Sequence, residues 1–132
     1  MSILGKRVSV KPVMALVAAM VCAGGLFFPV LSKSSAHEIV LVAKDMAFYA
    51  GSGTSANPVI DVKAGETVRI VLRNQDRGMT HDFAVPSVGV AMKALQWNEK
   101  KAITFEAPKK PGTYEYVCRP HELMMKGTLR VR

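Results

Sequence analysis

After residue 36 the chain consists of short segments in which apolar and polar residues alternate, separated by turns rich in glycine and proline. The clearest segment is residues 67–74, where one face carries the apolar side chains of Val68, Ile70 and Leu72. A two-residue period is typical of a β-strand with one buried face. This pattern constrains the fold most, because the sequence offers no long amphipathic helix to cover a sheet.

Comparable segments recur along the chain. Further strands are predicted at residues 38–43, 59–62, 81–85, 102–106, 113–118 and 127–131. Residues 50–58 favour a loop, whereas residues 88–97 fit no single pattern and their structure is left open. About seven short strands with turns between them predict an all-β fold, a Greek-key antiparallel β-sandwich.

The N-terminal segment differs from the rest of the chain. Three basic residues lie within its first 11 positions, the uncharged residues 13–31 follow, and small residues occupy positions 34–36. This order is typical of a secretory signal peptide with its cleavage site. We therefore predict a signal segment at residues 1–36 and a single folded domain at residues 37–132.

An uncleaved membrane anchor is the alternative for this segment. Its 19 uncharged residues approach the roughly 20 that cross a bilayer. Gly24, Gly25 and Pro29 interrupt the run, which favours cleavage. Either outcome places the domain outside the cytoplasm, and we expect it in the periplasm.

The charge balance changes when the N-terminal segment is set apart. Four of the 18 Lys and Arg residues lie in the first 36 positions, whereas all ten Asp and Glu residues follow them. The domain then carries 14 positive and ten negative side chains, a net charge of +4 instead of +8. We expect a soluble monomer that prefers acidic partners, and no basic run is dense enough to predict nucleic-acid binding.

Cysteine usage points to one residue. Cys22 lies in the N-terminal segment, so the exported domain would contain only Cys118. Exported domains usually use cysteines in disulfide pairs, and an unpaired one therefore needs another role.

A cluster of metal-binding side chains surrounds this cysteine. Cys118, His121, Met124 and Met125 fall within eight residues, and His81, at the start of a predicted strand, can add a second imidazole. A His2Cys set with a weak axial methionine is typical of electron-transfer copper, because thiolate and thioether are soft ligands. Zinc also binds cysteine and histidine, but the methionine argues against it.

Several motifs resemble one known family. The segment CRPH at residues 118–121 resembles the Cys-x-Pro-His motif of plastocyanin and amicyanin, and MKGTL at residues 125–129 resembles the entry into the last strand of azurin. VKAGETV at residues 62–68 and PGTY at residues 111–114 match as well. The exported domain is identified as a member of the cupredoxin family, the small blue copper proteins, over essentially its whole length.

The resemblance implies one copper ion with His81, Cys118 and His121 as equatorial ligands. It implies Met125 as the axial ligand, because a glycine two positions later marks the start of the last strand. Met124 remains the alternative axial ligand, and it would shorten the loop between His121 and the methionine by one residue.

Two further residues bear on the predicted site. Asp82 departs from the asparagine that often follows the first ligand histidine in the family, so an altered redox potential is expected. His37 would become the N-terminal residue after cleavage and chelate copper through its amine and ring, but no second histidine is placed to complete such a site.

The function implied is transfer of single electrons between exported redox proteins, with His121 in an apolar surface port. The alternative is a copper-handling protein that delivers or sequesters the ion without cycling electrons. No acid-base or substrate-binding constellation predicts an enzyme.

Overall fold

The computed structural model describes residues 35–132. The segments in which apolar and polar residues alternate form nine short β-strands in this part of the chain. The strands are β1 His37–Lys44, β2 Ala47–Ala50, β3 Ile60–Val62, β4 Thr67–Asn74, β5 Ala84–Val85, β6 Val90–Ala91, β7 Lys100–Glu106, β8 Gly112–Val117 and β9 Lys126–Val131. The predicted signal or anchor segment, residues 1–36, lies outside the described residues except for its last two positions. No helix within residues 35–132 has the length and hydrophobicity to cross a membrane.

The strands form two sheets. The order is β2-β1-β4-β7 in the first sheet and β3-β9-β8-β5-β6 in the second. Five of the seven pairings among the described strands are antiparallel, whereas β1 pairs with β4 and β3 pairs with β9 in parallel. The predicted all-β sandwich is confirmed, with two mixed sheets in place of the expected purely antiparallel ones.

The core is built from the apolar faces of both sheets. Leu41 and Ile70 of the first sheet and Tyr116 of the second are fully buried. The Phe48 ring of β2 contacts the Tyr116 ring of β8 edge to face, with centroids 5.5 Å apart. Burial of a large apolar side chain contributes about 1.5–3 kcal/mol, so this shared core holds the strand ends in place.

Two local features differ from the sequence prediction. Asp45 and Met46 have positive φ angles of 50° and 58° and form the two-residue turn between β1 and β2. This hairpin was not predicted, because its turn lacks the glycine that usually marks such turns.

The strand predicted at residues 81–85 begins later. Only Ala84–Val85 are a strand, and His81 instead forms an isolated antiparallel bridge with Leu95. Leu95 belongs to residues 88–97, whose structure the sequence left open. This stretch therefore supports the backbone of His81, a candidate ligand.

Candidate metal centre

His81 is held by backbone hydrogen bonds in both directions. Its N–H donates to the Leu95 carbonyl at 3.1 Å, and the Leu95 N–H donates to the His81 carbonyl at 2.7 Å. Asn74, at the buried end of β4, donates from Nδ2 to the same Leu95 carbonyl at 3.0 Å. The position of the His81 backbone is thus tied to the end of β4.

Cys118 and His121 are held by a tight turn. Cys118 directly follows β8, and a 3-10 turn spans Arg119–His121, as expected for a turn that contains proline. The Cys118 N–H donates to the Met125 carbonyl at 2.9 Å, and the Met125 N–H donates to the His121 carbonyl at 2.8 Å. The turn therefore folds back on itself before β9 begins.

The structure brings three of the predicted ligands together. The Sγ atom of Cys118 lies 3.6 Å from Nδ1 of His81 and 3.7 Å from Nδ1 of His121. The three donor atoms all lie within 4.8 Å of one another. With bond lengths of about 2.0 Å to nitrogen and 2.3 Å to sulfur and angles of about 109–120°, one shared ion requires N···S separations of about 3.5–3.7 Å. Both N···S separations match those expected for a single shared metal ion.

The three side chains differ in exposure. His81 and Cys118 are fully buried, whereas His121 is partly exposed. The two imidazole rings lie 5.0 Å apart and are tilted by 53°. An ion between them would be shielded from water on the side of His81 and near the surface on the side of His121.

The two methionines occupy different environments. Met125 is fully buried in the core, whereas 61% of Met124 is exposed. Because an axial ligand must reach an ion that lies among buried donors, burial favours Met125 over Met124. The assignment of Met125 as a ligand stays a prediction.

Asp76 fixes the second nitrogen of His81. Nε2 of His81 lies 2.9 Å from Oδ2 of Asp76, so an Nε2–H donates to the carboxylate and leaves the Nδ1 lone pair toward Cys118. Burial lowers the pKa of His81, and the hydrogen bond to Asp76 opposes this effect only in part. His81 is therefore neutral near pH 7, as a metal ligand must be.

The Asp76 carboxylate is itself held by backbone donors. The N–H groups of Asp45 and Met46 donate to it at 2.7 and 3.2 Å. Burial alone would raise the pKa of Asp76, but these hydrogen bonds and the one from His81 outweigh it and lower the pKa. Asp76 is ionised next to the candidate ligand.

Cys118 lies beside a backbone donor. The N–H of Asp82 approaches Sγ at 3.5 Å, while burial raises the pKa of the thiol above its ordinary value. A metal ion would have to displace this proton, since the thiolate is the ligand form.

The Asp82 carboxylate joins the two segments that carry the candidate ligands. It accepts hydrogen bonds from the Arg119 backbone N–H at 2.8 Å and from Arg119 Nε at 2.7 Å. Arg119 Nη2 also donates to the Met92 carbonyl at 3.0 Å. The aspartate that departs from the family pattern is thus paired with an arginine of this chain.

Sequence reasoning missed Asp76, Leu95 and the role of Arg119. Asp76 lies in a polar loop whose sequence indicates only a turn, and its contact with His81 depends on how that loop folds. His37 does not join the cluster. It lies at the start of β1 opposite Val68, at the far end of the sheet, and its Nδ1 is 3.0 Å from Oε1 of Glu66.

Comparison with known proteins identifies relatives of the same fold. The family model described as Cupredoxin-like domain matches residues 12–131. The structure is similar to auracyanin B, with 26% identity and a TM-score of 0.57, covering 74% of this chain and 89% of that one. No curated protein matches the chain.

Two more distant structures share the fold. Auracyanin A, a "blue" copper protein from the green thermophilic photosynthetic bacterium Chloroflexus aurantiacus, is 22% identical with a TM-score of 0.56, covering 74% of this chain and all 100% of that one. The metal-binding domain of the Cu(I)-exporting P-type ATPase CopA of Streptococcus pneumoniae is 20% identical with a TM-score of 0.55, covering 72% of this chain and 84% of that one.

Proposed function

The chain belongs to the family of cupredoxin-like domains, and from this premise we propose that it binds one copper ion between His81, Cys118 and His121 and carries single electrons. The observation that carries the proposal is the convergence of these donors, which lie up to 40 positions apart, within 4.8 Å of one another. Met125 is the proposed axial ligand. Bound there, copper supplies a one-electron couple between Cu(I) and Cu(II).

The surroundings of the donors suit electron transfer. An electron carrier benefits when its ligands keep one position in both oxidation states, and backbone hydrogen bonds hold the main chain at His81 and Cys118. Asp76 and Asp82 add hydrogen bonds from behind the donors. Such outer contacts orient ligands and tune the metal.

The surface beside His121 provides a route for electrons. Leu123 is 88% exposed and Met124 61% exposed, next to the exposed Pro120. Pro120, His121, Leu123 and Met124 form the apolar port, which marks a surface for protein contact. Electron-transfer proteins form small and transient interfaces, and we propose that the apolar port is the surface for such an interface.

Basic residues border the apolar port. Arg119 begins the turn that carries His121, and Lys126 begins β9 after it. Both are exposed, but the charge of Arg119 is paired with Asp82. We propose that Lys126, which forms no ion pair within residues 35–132, steers redox partners with acidic surfaces, an effect that weakens at high salt. The residues 37–132 would act outside the cytoplasm, after residues 1–36 have directed export.

One observation favours copper handling as the second candidate. The side chains of Met46 and Met124 line a surface cleft together with His121. Thioethers are soft ligands for Cu(I), so this cleft offers a path by which the ion enters or leaves. In that case the protein would deliver or sequester copper without cycling it.

Spectroscopy of the purified chain separates the two functions. The protein loaded with Cu(II) should show an intense blue absorption from thiolate-to-copper charge transfer, which ascorbate bleaches and oxidant restores. Cys118→Ser should abolish the colour, whereas His37→Gln, a histidine change outside the cluster, should keep it. A colourless protein that rapidly gives up Cu(I) to a chelator would instead identify copper handling.

A further inference from the structure

Asp76 lies behind His81 and is part of a closed ring of hydrogen bonds. Oδ1 of Asn74 accepts the Asp76 N–H at 2.8 Å, and Nδ2 of Asn74 donates to the Leu95 carbonyl at 3.0 Å. The backbone of Leu95 pairs with the backbone of His81. The Nε2–H of His81 donates to Oδ2 of Asp76 at 2.9 Å, which closes the ring. The ring fixes the carboxylate, the imidazole and the strand that supports them as one unit.

No basic side chain within the described part of the chain balances the charge of Asp76. Among residues 35–132, its only ion-pair contact is His81, which is neutral when it binds a metal. Asp82 differs, because Arg119 neutralises its carboxylate at 2.7 Å. Of the two carboxylates beside the candidate ligands, only Asp76 therefore adds a net negative charge.

We propose that Asp76 is a positioning residue for the metal centre: its carboxylate holds His81 as the Nε2–H tautomer with Nδ1 toward the ion, and its negative charge favours the oxidised form of that ion. The charge acts across a single imidazole ring, in a partly buried setting where charges interact more strongly than in water. This second part of the proposal rests on the proposed copper function, whereas the tautomer does not.

A structural role alone is the competing explanation. The carboxylate also accepts the backbone N–H groups of Asp45 and Met46, and so it stabilises the turn between β1 and β2. If that were its whole role, its replacement would change stability but neither the tautomer of His81 nor the redox potential.

The first test uses the metal-free protein and nitrogen NMR of the histidine rings. The wild type should show Nε2 protonated and Nδ1 unprotonated for His81. Asp76→Asn keeps a carbonyl acceptor and should preserve this tautomer, whereas Asp76→Ala should yield a mixture. If His81 of the wild-type protein were protonated at Nδ1, the proposal would be overturned. This outcome can be measured on the wild type alone, even if both Asp76 variants fail to fold.

The second test measures the redox potential of the copper-loaded protein. Asp76→Asn should lower the preference for Cu(II) over Cu(I) by about tenfold, which raises the potential by about 59 mV for one electron. Asp45→Asn is the matched control, since this carboxylate lies in the adjoining turn, is 71% exposed and does not contact His81. It should leave the potential and the tautomer unchanged.

The outcomes separate the two proposals. A correct tautomer in a protein that does not cycle copper would contradict the electron-carrier function and leave the positioning role standing. An unchanged potential in Asp76→Asn, in a protein that cycles copper, would overturn the charge effect and leave the carrier function standing.

Discussion

The Nδ1 atom of His81 lies 3.6 Å from the Sγ atom of Cys118, although the two residues are 37 positions apart. Asp82 maintains this proximity from the position next to His81. Its N–H approaches the sulfur at 3.5 Å, and its carboxylate accepts two hydrogen bonds from Arg119, the residue after Cys118. The two halves of the candidate centre are therefore joined directly beside the donor atoms.

Removal of the Arg119 side chain should weaken this connection. In Arg119→Met the Asp82 carboxylate, which is 2% exposed, loses the guanidinium that neutralises it. We expect the free energy of unfolding of the metal-free protein to fall by about 1–3 kcal/mol, as for a buried charged acceptor that loses one of its donors and keeps only the backbone N–H of residue 119. Urea denaturation followed by circular dichroism measures this.

The matched control for that prediction is Arg130→Met. Arg130 forms an equally short ion pair with Asp61, but both side chains are nearly half exposed. Surface pairs of this kind contribute little. If the two variants lost the same stability, the Asp82–Arg119 pair would have no special role in the fold.

Acid should destabilise the metal-free protein through His81. Burial lowers the pKa of His81 below its ordinary value of 6.5, so the unfolded chain binds this proton at a higher pH than the folded chain does. The associated stability is complete above about pH 6.5 and is lost as the pH falls through the folded pKa. Urea midpoints measured across this range should decrease with pH.

His81→Gln should remove that part of the pH dependence. His37→Gln is the matched control, because His37 lies on the surface and outside the cluster. It should leave the loss of stability in place. An equally steep acid dependence in His81→Gln would show that another group is responsible.

The axial position distinguishes Met125 from Met124. Met125 is fully buried and Met124 is 61% exposed, so Met125→Leu should alter the visible spectrum and raise or lower the redox potential of the copper-loaded protein. Met124→Leu should leave both unchanged. Spectroelectrochemistry of the two variants decides the assignment, and the reverse result would identify Met124 as the ligand.

Much of this arrangement follows from sequence patterns, and some of it does not. The recurring alternation predicted the sandwich, the motif at residues 118–121 named Cys118 and His121, and the start of a predicted strand named His81; the structure brings these three side chains together. The parallel pairing of β1 with β4 joins segments far apart in the chain and leaves no local signal. The predicted antiparallel sandwich therefore did not include this parallel pairing.

The outer contacts of the centre were the least predictable. Asp76 lies five residues before His81, and its contact exists only because the intervening loop reverses direction and meets the turn at Asp45. Asp82 was noticed as a departure from the family pattern, but its pairing with Arg119 depends on side-chain packing between two loops. Such pairings are set by tertiary structure, not by local sequence.

A charge in the apolar port should slow electron transfer without altering the centre. Leu123 is 88% exposed, and Leu123→Glu would place a carboxylate on the surface where two copies of the protein meet to exchange an electron. We expect electron self-exchange to slow by about tenfold, because burying an unpaired charge in the encounter is unfavourable. NMR line broadening in mixtures of reduced and oxidised protein measures the rate.

Val40→Glu is the matched control for the apolar port. Val40 is 42% exposed on the other sheet, and the same change there should leave the self-exchange rate as in the wild type. Equal slowing in both variants would mean that net charge, not the apolar port, controls the rate.

The most direct measurement is an anomalous difference map from crystals of the copper-loaded protein. We expect a single strong peak within bonding distance of His81 Nδ1, Cys118 Sγ and His121 Nδ1. A peak at another position, or one that the imidazole of His81 does not contact, would contradict this expectation.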